Sequence, residues 1–210
     1  MHNIRFTGRK IAQRLALVER FVYRRRHPLP PFRFAQLDSP LDEPPVGVDV
    51  DYSVWPVIEP GSYWAGRDTN FVLRGTFAVP ADWDPMLPVA LYLPLGVAGD
   101  FSHPEALAYI DGQPYATCDR HHQEFQLADV WRGGSEHQLA LHGWTGIRVD
   151  LPDTRLQMSH CEVVQIDQPT RDFVVLARTA LGVADIIDDN DPVQTRLLNA
   201  LDEAFKLLDL

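Results

Sequence analysis

Asp111 and Gly112 stand between two short runs of strand-forming residues, and this pair constrains the fold of the 210-residue chain more than any other feature. The first run covers residues 106–110, and the second begins with Gln113-Pro114-Tyr115. An Asp-Gly pair in this position favours a two-residue β-hairpin turn, because both residues tolerate a positive φ. Further strand-like segments separated by turn residues extend over residues 60–168. The sequence therefore predicts a β-sandwich.

Both ends of the sequence change to the period of a helix. Apolar residues predict an amphipathic helix over residues 8–26, with the run Arg24-Arg25-Arg26 at its C-terminal end. Two more helices are predicted over residues 171–187 and 192–208, and Asp191 with Pro192 forms a typical start for the second of these. The expected fold class is thus mainly β, with an N-terminal helix and two C-terminal helices flanking the sandwich.

Four segments follow from these patterns. Residues 1–27 are expected to form a basic amphipathic helix. Residues 28–60 contain eight prolines and are interpreted as an extended connector without strands or helices. Residues 61–168 hold the β-sandwich, and residues 169–210 hold the two C-terminal helices.

Charge is distributed unevenly along the chain. The formal net charge is −10, yet residues 1–33 contain nine basic residues and one acidic residue. An acidic body argues against nucleic acid as a partner, and we interpret the basic helix as packed on protein rather than on RNA or a membrane. No run of 18 apolar residues predicts a membrane span. Two distant cysteines, Cys118 and Cys161, and no secretory signal favour a reducing, cytoplasmic location.

Histidines and carboxylates give the first candidate site. Three His-x-Glu triplets begin at His103, His122 and His160, but the sequence contains neither an HExxH motif nor the Pro-Cys-x-x-Cys segment that a zinc deaminase needs. If residues 122–127 form a strand, Arg120, His122 and Glu124 share one face. We interpret them as a structural network of ion pairs and hydrogen bonds rather than a metal site. No catalytic residue and no metal site is assigned.

Tryptophans give the second candidate site. Trp64, Trp131 and Trp144 could stack on sugar rings, as they would in a stand-alone carbohydrate-binding module. The competing interpretation places them in the core of the sandwich, where aromatic burial contributes most.

A longer stretch of the sequence resembles a known family. Residues 104–115 (PEALAYIDGQPY) and 119–124 (DRHHQE) are similar to the N-terminal region of α-mannosidases of glycoside hydrolase family 38. Weaker similarities follow in the same order along nearly the whole chain, from the arginine-rich start to residues 196–209. Residues 127–141 also resemble the jelly-roll, or galactose-binding-like, module of large glycosidases.

The resemblance implies a non-catalytic role. The zinc site of the family begins with His-x-Asp, and none of the eight histidines is followed two places later by aspartate. Zinc and the aspartate nucleophile are therefore expected in a catalytic domain beyond this region, with no cofactor in this chain. The implied partners are that catalytic domain, a second copy of the protein and mannose-containing carbohydrate. Because polar residues alternate along the predicted strand, we also expect Asp119, Arg120, His122 and Glu124 to form an ordered polar network that faces this catalytic domain.

Overall fold

The computed structural model describes residues 7–96, 104–146, 155–188 and 190–208. Within these ranges the chain forms ten strands and three α-helices. It divides into two compact units. One unit is Arg25–Gln165, and the other combines the two ends of the chain, Met1–Arg24 and Ile166–Leu210. The N-terminal and C-terminal helices, which are far apart in sequence, therefore belong to a single helical unit.

The strands form two sheets. The four-stranded sheet has the order β1-β10-β5-β8, with β1 Tyr23–Pro28, β10 Glu162–Ile166, β5 Val89–Tyr92 and β8 Glu124–Gln126. The six-stranded sheet has the order β3-β2-β4-β9-β6-β7, with β3 Val57–Ile58, β2 Phe32–Leu37, β4 Asn70–Phe77, β9 His137–Trp144, β6 Glu105–Ile110 and β7 Gln113–Cys118. All pairings of the six-stranded sheet are antiparallel.

One apolar core joins the two sheets. Alternate residues of β4 and β9 point into it because successive side chains of a strand face opposite sides. The buried residues from both sheets include Phe71, Leu73, Phe77, Leu139, Leu141, Val89, Leu91 and Val163. This arrangement confirms the predicted β-sandwich with flanking helices.

The Asp-Gly hairpin is confirmed as well. β6 ends at Ile110 and β7 begins at Gln113, so Asp111 and Gly112 alone form the turn. Both have a positive φ, 50° for Asp111 and 77° for Gly112, as a type I′ turn requires. The Asp111 carboxylate also accepts the backbone N–H of Gln138 at 2.9 Å, which ties the turn to β9.

The helical unit contains α1 Thr7–Glu19, α2 Gln168–Ile186 and α3 Pro192–Lys206. Its core is formed by buried apolar residues of all three helices, among them Ile11, Leu15, Val18, Val174, Ala177, Leu198 and Phe205. Asp191 accepts the N–H of Val193 at the start of α3, which confirms the predicted cap. Asp167 caps α2 in the same way. Among the described helices, none combines the length and the apolar composition needed to cross a membrane.

The predicted helix over residues 8–26 is wrong beyond residue 19. The helix ends at Glu19, and the arginine run lies in strand β1, which pairs with β10. Proline at position 28 disfavours helical backbone at the residue before it. Two arginines also gain partners from the strand, since Arg25 pairs with Asp82 at 2.8 Å and Arg26 with Glu162 at 2.6 Å. Strand pairing thus prevails over the helical pattern.

The connector over residues 28–60 is not free of strands. It contains β2, which pairs with the central strand β4, and the short β3. Between them, residues 38–56 cross the outer face of the six-stranded sheet. Arg33 donates to the carbonyl oxygens of Ser53 and Trp55, at 2.6 and 2.8 Å, and Gln138 donates to that of Val48 at 3.2 Å.

Candidate functional site

Asp119 organises the loop between β7 and β8. Its carboxylate accepts the backbone N–H of His121 at 2.6 Å and that of His122 at 2.8 Å. The Nδ1 atom of the His122 ring lies 2.9 Å from the second carboxylate oxygen. One carboxylate thus holds the backbone of the loop and one histidine ring. The His122 side chain keeps 71% of its surface exposed.

The structure corrects the expected placement of this network. Residues 119–123 form a loop that bends at residues 120 and 121, and β8 begins only at Glu124. The sequence pattern predicted that Arg120, His122 and Glu124 share one strand face. This prediction is wrong, because Arg120 and His122 lie in the loop before β8. Two backbone N–H groups bond to Asp119 instead of joining a sheet ladder, which explains why the strand starts late. The structure brings Asp119 and His122 together, while Arg120 is exposed on the same loop.

The electrostatics of the loop favour the charged form of Asp119. The hydrogen bond from the His122 side chain, with help from the backbone N–H groups of His121 and His122, lowers the pKa of Asp119 to about 2. Asp119 is thus a carboxylate throughout the physiological range, and its negative charge lies beside an exposed imidazole.

The histidines and cysteines were the other candidates for metal binding and for nucleophilic attack. In the part of the chain that the structure describes, no three His, Cys, Asp or Glu side chains are grouped as a metal ion would need. His103, the start of one triplet, lies outside the described residues. Burial raises the pKa of the Cys118 thiol to about 12 and also raises that of Cys161. Burial thus favours the neutral thiol at both cysteines, and both pack as small apolar residues.

Trp64 and Trp131 pack against the core. The Trp64 ring meets Phe71 edge-on at 5.0 Å, and its Nε1 atom donates to the carbonyl oxygen of Leu95 at 3.0 Å. Trp131 contacts Tyr115 edge-on, with ring centres 4.5 Å apart. Both side chains pack against the apolar cluster between the sheets. These contacts favour the interpretation of Trp64 and Trp131 as core residues.

Trp144 lies on the opposite face of the six-stranded sheet. It is the last residue of β9, and the alternation along β9 separates it from the core-facing Leu139 and Leu141. It pairs with Asn70 of β4 on one side and Glu105 of β6 on the other. Trp144 and Asn70 are half-buried, and Glu105 is exposed. The sequence analysis included Glu105 only in a His-x-Glu triplet and did not single out Asn70, because only strand register shows that both residues lie beside Trp144.

A shallow hollow of about 360 Å³ adjoins this row of residues. Its lining comes from the paired ends of β6 and β7 and from the loop that follows: Glu105, Ala106, Leu107, Thr117, Cys118 and Asp119. The hollow thus connects Asp119, which the sequence resemblance singled out, with Glu105 beside Trp144.

Comparisons with known proteins were made for the chain as a whole. No family model and no curated protein matches it. Among solved structures it is similar to a β-glucuronidase of Bacteroides uniformis, with a TM-score of 0.47, 13% identity and coverage of 67% of this chain and 18% of that one. It is also similar to a β-glucuronidase of Ruminococcus gnavus in complex with D-glucuronic acid, with a TM-score of 0.44, 12% identity and coverage of 68% and 29%.

The chain therefore spans less than a third of the length of these two structures. Both proteins are β-glucuronidases and not α-mannosidases. The family 38 assignment accordingly rests on the sequence resemblance alone.

Proposed function

We propose that this chain is a non-catalytic β-sandwich domain of a carbohydrate-active enzyme, namely the N-terminal region of a family 38 α-mannosidase. The proposal is supported by the sequence block at residues 104–124, which spans the Asp111–Gly112 hairpin and the loop at Asp119. In the fold these residues form β6, β7 and the loop after β7, along one edge of the six-stranded sheet.

The observation that carries the proposal is the order of the loop at residues 119–122. Asp119 accepts two backbone N–H groups and faces the His122 ring, so the loop is held before any partner binds. Arg120, His121 and His122 are exposed on it. A polar surface that is fixed in advance binds a partner at a lower entropic cost. We assign this loop, with Glu124 beside it, to contact with the catalytic domain.

The chemistry of hydrolysis belongs to that catalytic domain. Zinc and the nucleophile are assigned there by the resemblance, and the described residues offer no cluster that fits zinc. This chain supports the catalytic domain and contributes to contacts between copies of the enzyme. Two free, buried cysteines fit a reducing compartment, and we place the enzyme in the cytoplasm.

The proposal is tested in the complete enzyme with Arg120→Ala and His122→Ala. His160→Ala is a matched control, because His160 is also exposed and lies just before β10. Hydrolysis of an aryl α-mannoside, the melting temperature and the oligomeric state are measured for each variant. We expect Arg120→Ala and His122→Ala to reduce the rate of hydrolysis, lower the melting temperature or change the oligomeric state. His160→Ala should leave all three properties unchanged. If neither loop variant differs from the parent in any of the three, the assignment of this loop is wrong.

A further inference from the structure

The outer face of the six-stranded sheet carries a row of side chains to which the proposed function assigns no role. Asn70, Trp144 and Glu105 follow one another across β4, β9 and β6. Side chains directly opposite each other on neighbouring strands have their Cβ atoms about 5 Å apart. His142 lies two residues before Trp144 on the same face, and it pairs with Leu107. An aromatic ring, a carboxylate, an amide and an imidazole are thus placed side by side.

The backbone beneath this row is fixed. Thr145, directly after Trp144, is buried; its hydroxyl accepts the N–H of Thr69 at 3.0 Å and donates to the carbonyl oxygen of Gly66 at 2.8 Å. At Gly143, β9 and β6 approach so closely that a Cβ atom would lie 2.2 Å from the carbonyl oxygen of Glu105. Trp144 is therefore presented from a rigid strand end, as a binding residue needs to be.

The chemistry of the row suits a sugar. The half-buried Trp144 can offer a ring face to the C–H groups of a pyranose, while Asn70 and Glu105 can bond to its hydroxyls. Burial lowers the pKa of His142 and so favours the neutral ring, which carries one donor and one acceptor. Sugar hydroxyls both donate and accept hydrogen bonds, so they can bond to the amide of Asn70, the carboxylate of Glu105 and the imidazole of His142.

The volume of the adjoining hollow and the charge of its lining restrict the class of ligand further. The adjoining hollow of about 360 Å³ lies within the usual range for small-molecule sites. Two carboxylates, Glu105 and Asp119, line it, and the pKa of Asp119 is about 2. Their negative charge disfavours an acidic sugar such as a uronate and leaves neutral sugars as the better ligands.

We propose that Trp144, Asn70, Glu105 and His142 form a binding site for a neutral pyranose unit of a glycan. This site extends the proposed function. It rests on that function in one respect only, namely the choice of carbohydrate as the ligand. It requires no hydrolysis and no catalytic domain. It also differs from the predicted stacking set, because Trp64 and Trp131 pack against the core.

The test is a titration of the 210-residue protein with methyl α-mannoside, mannobiose and sodium glucuronate, followed by tryptophan fluorescence and by amide NMR shifts. We expect saturable changes with the two neutral sugars and at least tenfold weaker binding of glucuronate. The amide shifts should be centred on residues 105 and 142–145. Trp144→Ala should weaken binding at least tenfold, and Glu105→Ala severalfold.

Trp131→Phe is the matched control, since it removes a tryptophan from the core side and should leave the affinity unchanged. If Trp144→Ala fails to fold, Trp144→Leu and the exposed Glu105→Ala replace it. A flat titration to high millimolar neutral sugar, or equal affinity of the parent and the Trp144 variant, overturns the site. Either result leaves the proposed role beside a catalytic domain intact, because that role is measured by mannoside hydrolysis.

Discussion

The guanidinium carbon of Arg74 lies 4.8 Å from the centre of the Tyr52 ring. Arg74 is a fully buried residue of β4, and Tyr52 belongs to the segment 38–56 that crosses the outer face of the sheet. The same side chain donates to the carbonyl oxygens of Pro45 and Gly47, at 3.1 and 2.9 Å, and to Gln138. Burial lowers the pKa of Arg74 because it disfavours the charged guanidinium. The oxygen acceptors and the Tyr52 ring stabilise that charge in the buried position. One arginine therefore fastens a proline-rich segment to the sheet.

Replacement of this arginine should release the segment. Arg74→Met keeps much of the apolar volume but removes the donors and the cation, so we expect a loss of about 2–3 kcal/mol in the free energy of unfolding. Proteolysis within residues 38–56 should also become faster. Urea unfolding and limited proteolysis measure the two effects. Arg67→Ala should change neither, because Arg67 is exposed and its 3.6 Å ion pair with Asp68 is a weak surface contact. Unchanged stability and unchanged cleavage of Arg74→Met would show that the segment is held by other contacts.

The loop at Asp119 should respond to acid. Because the pKa of Asp119 is lowered to about 2, its charged form contributes stability fully above the usual value of about 3.9. That contribution is lost as the pH falls through about 2. Amide NMR shifts of His121 and His122 should therefore titrate with a midpoint near pH 2. Asp119→Asn keeps an accepting oxygen and should abolish the titration. A midpoint near pH 4 in the parent protein would mean that the hydrogen bonds to Asp119 are not formed in solution.

Two glycines should respond in opposite ways to substitution by alanine. Gly182 is exposed in the C-terminal half of α2, and a Cβ atom there would meet nothing within 4 Å. Gly182→Ala should raise the free energy of unfolding by about 1 kcal/mol, since alanine is the better helix former. Gly143→Ala should lower it strongly, because the new Cβ would strike the backbone of β6. Thermal melts compare the two variants. A destabilised Gly182→Ala would indicate that the outer side of α2 is covered.

The N-terminal cap of α3 should make a measurable contribution to the free energy of unfolding. Asp191 accepts the N–H of Val193 at 2.8 Å, and Asp191→Ala should cost about 1 kcal/mol. Asp185→Ala is the control, because Asp185 is exposed within α2 and forms no cap. Chemical denaturation of both variants gives the comparison. Equal stability of the two would contradict the role of Asp191 as the cap.

The sequence predicted elements whose signals are local. The turn at Asp111 and Gly112 depends on two residues that accept a positive φ, and the start of α3 depends on Asp191 and Pro192. Both kinds of signal act over a few residues, and the structure confirms both. The overall β-sandwich was also predictable, because many short strands leave few other ways to bury their apolar faces.

Features that depend on distant partners were not predictable in the same way. Arg25 and Arg26 lie in a strand because Asp82 and Glu162 pair with them, and neither partner is near in sequence. The burial of Arg74 depends on a segment that ends about fourteen residues before β4 begins. The row of Asn70, Trp144 and Glu105 exists only through strand register. Asp119 was predicted to belong to a polar network on a strand face, but its contacts with the backbone N–H groups of His121 and His122 place His122 in a loop.

Hydrolysis of an aryl α-mannoside in the presence of zinc tests the central claim most directly. Two proteins are compared: the 210-residue chain, and the product of the gene's full reading frame through and beyond the codon for Leu210. The account predicts no hydrolysis by the 210-residue chain and clear hydrolysis by the longer product, with a His-x-Asp motif in the added residues. A stop codon directly after Leu210, or a longer product that does not cleave α-mannosides, would contradict the assignment to an α-mannosidase.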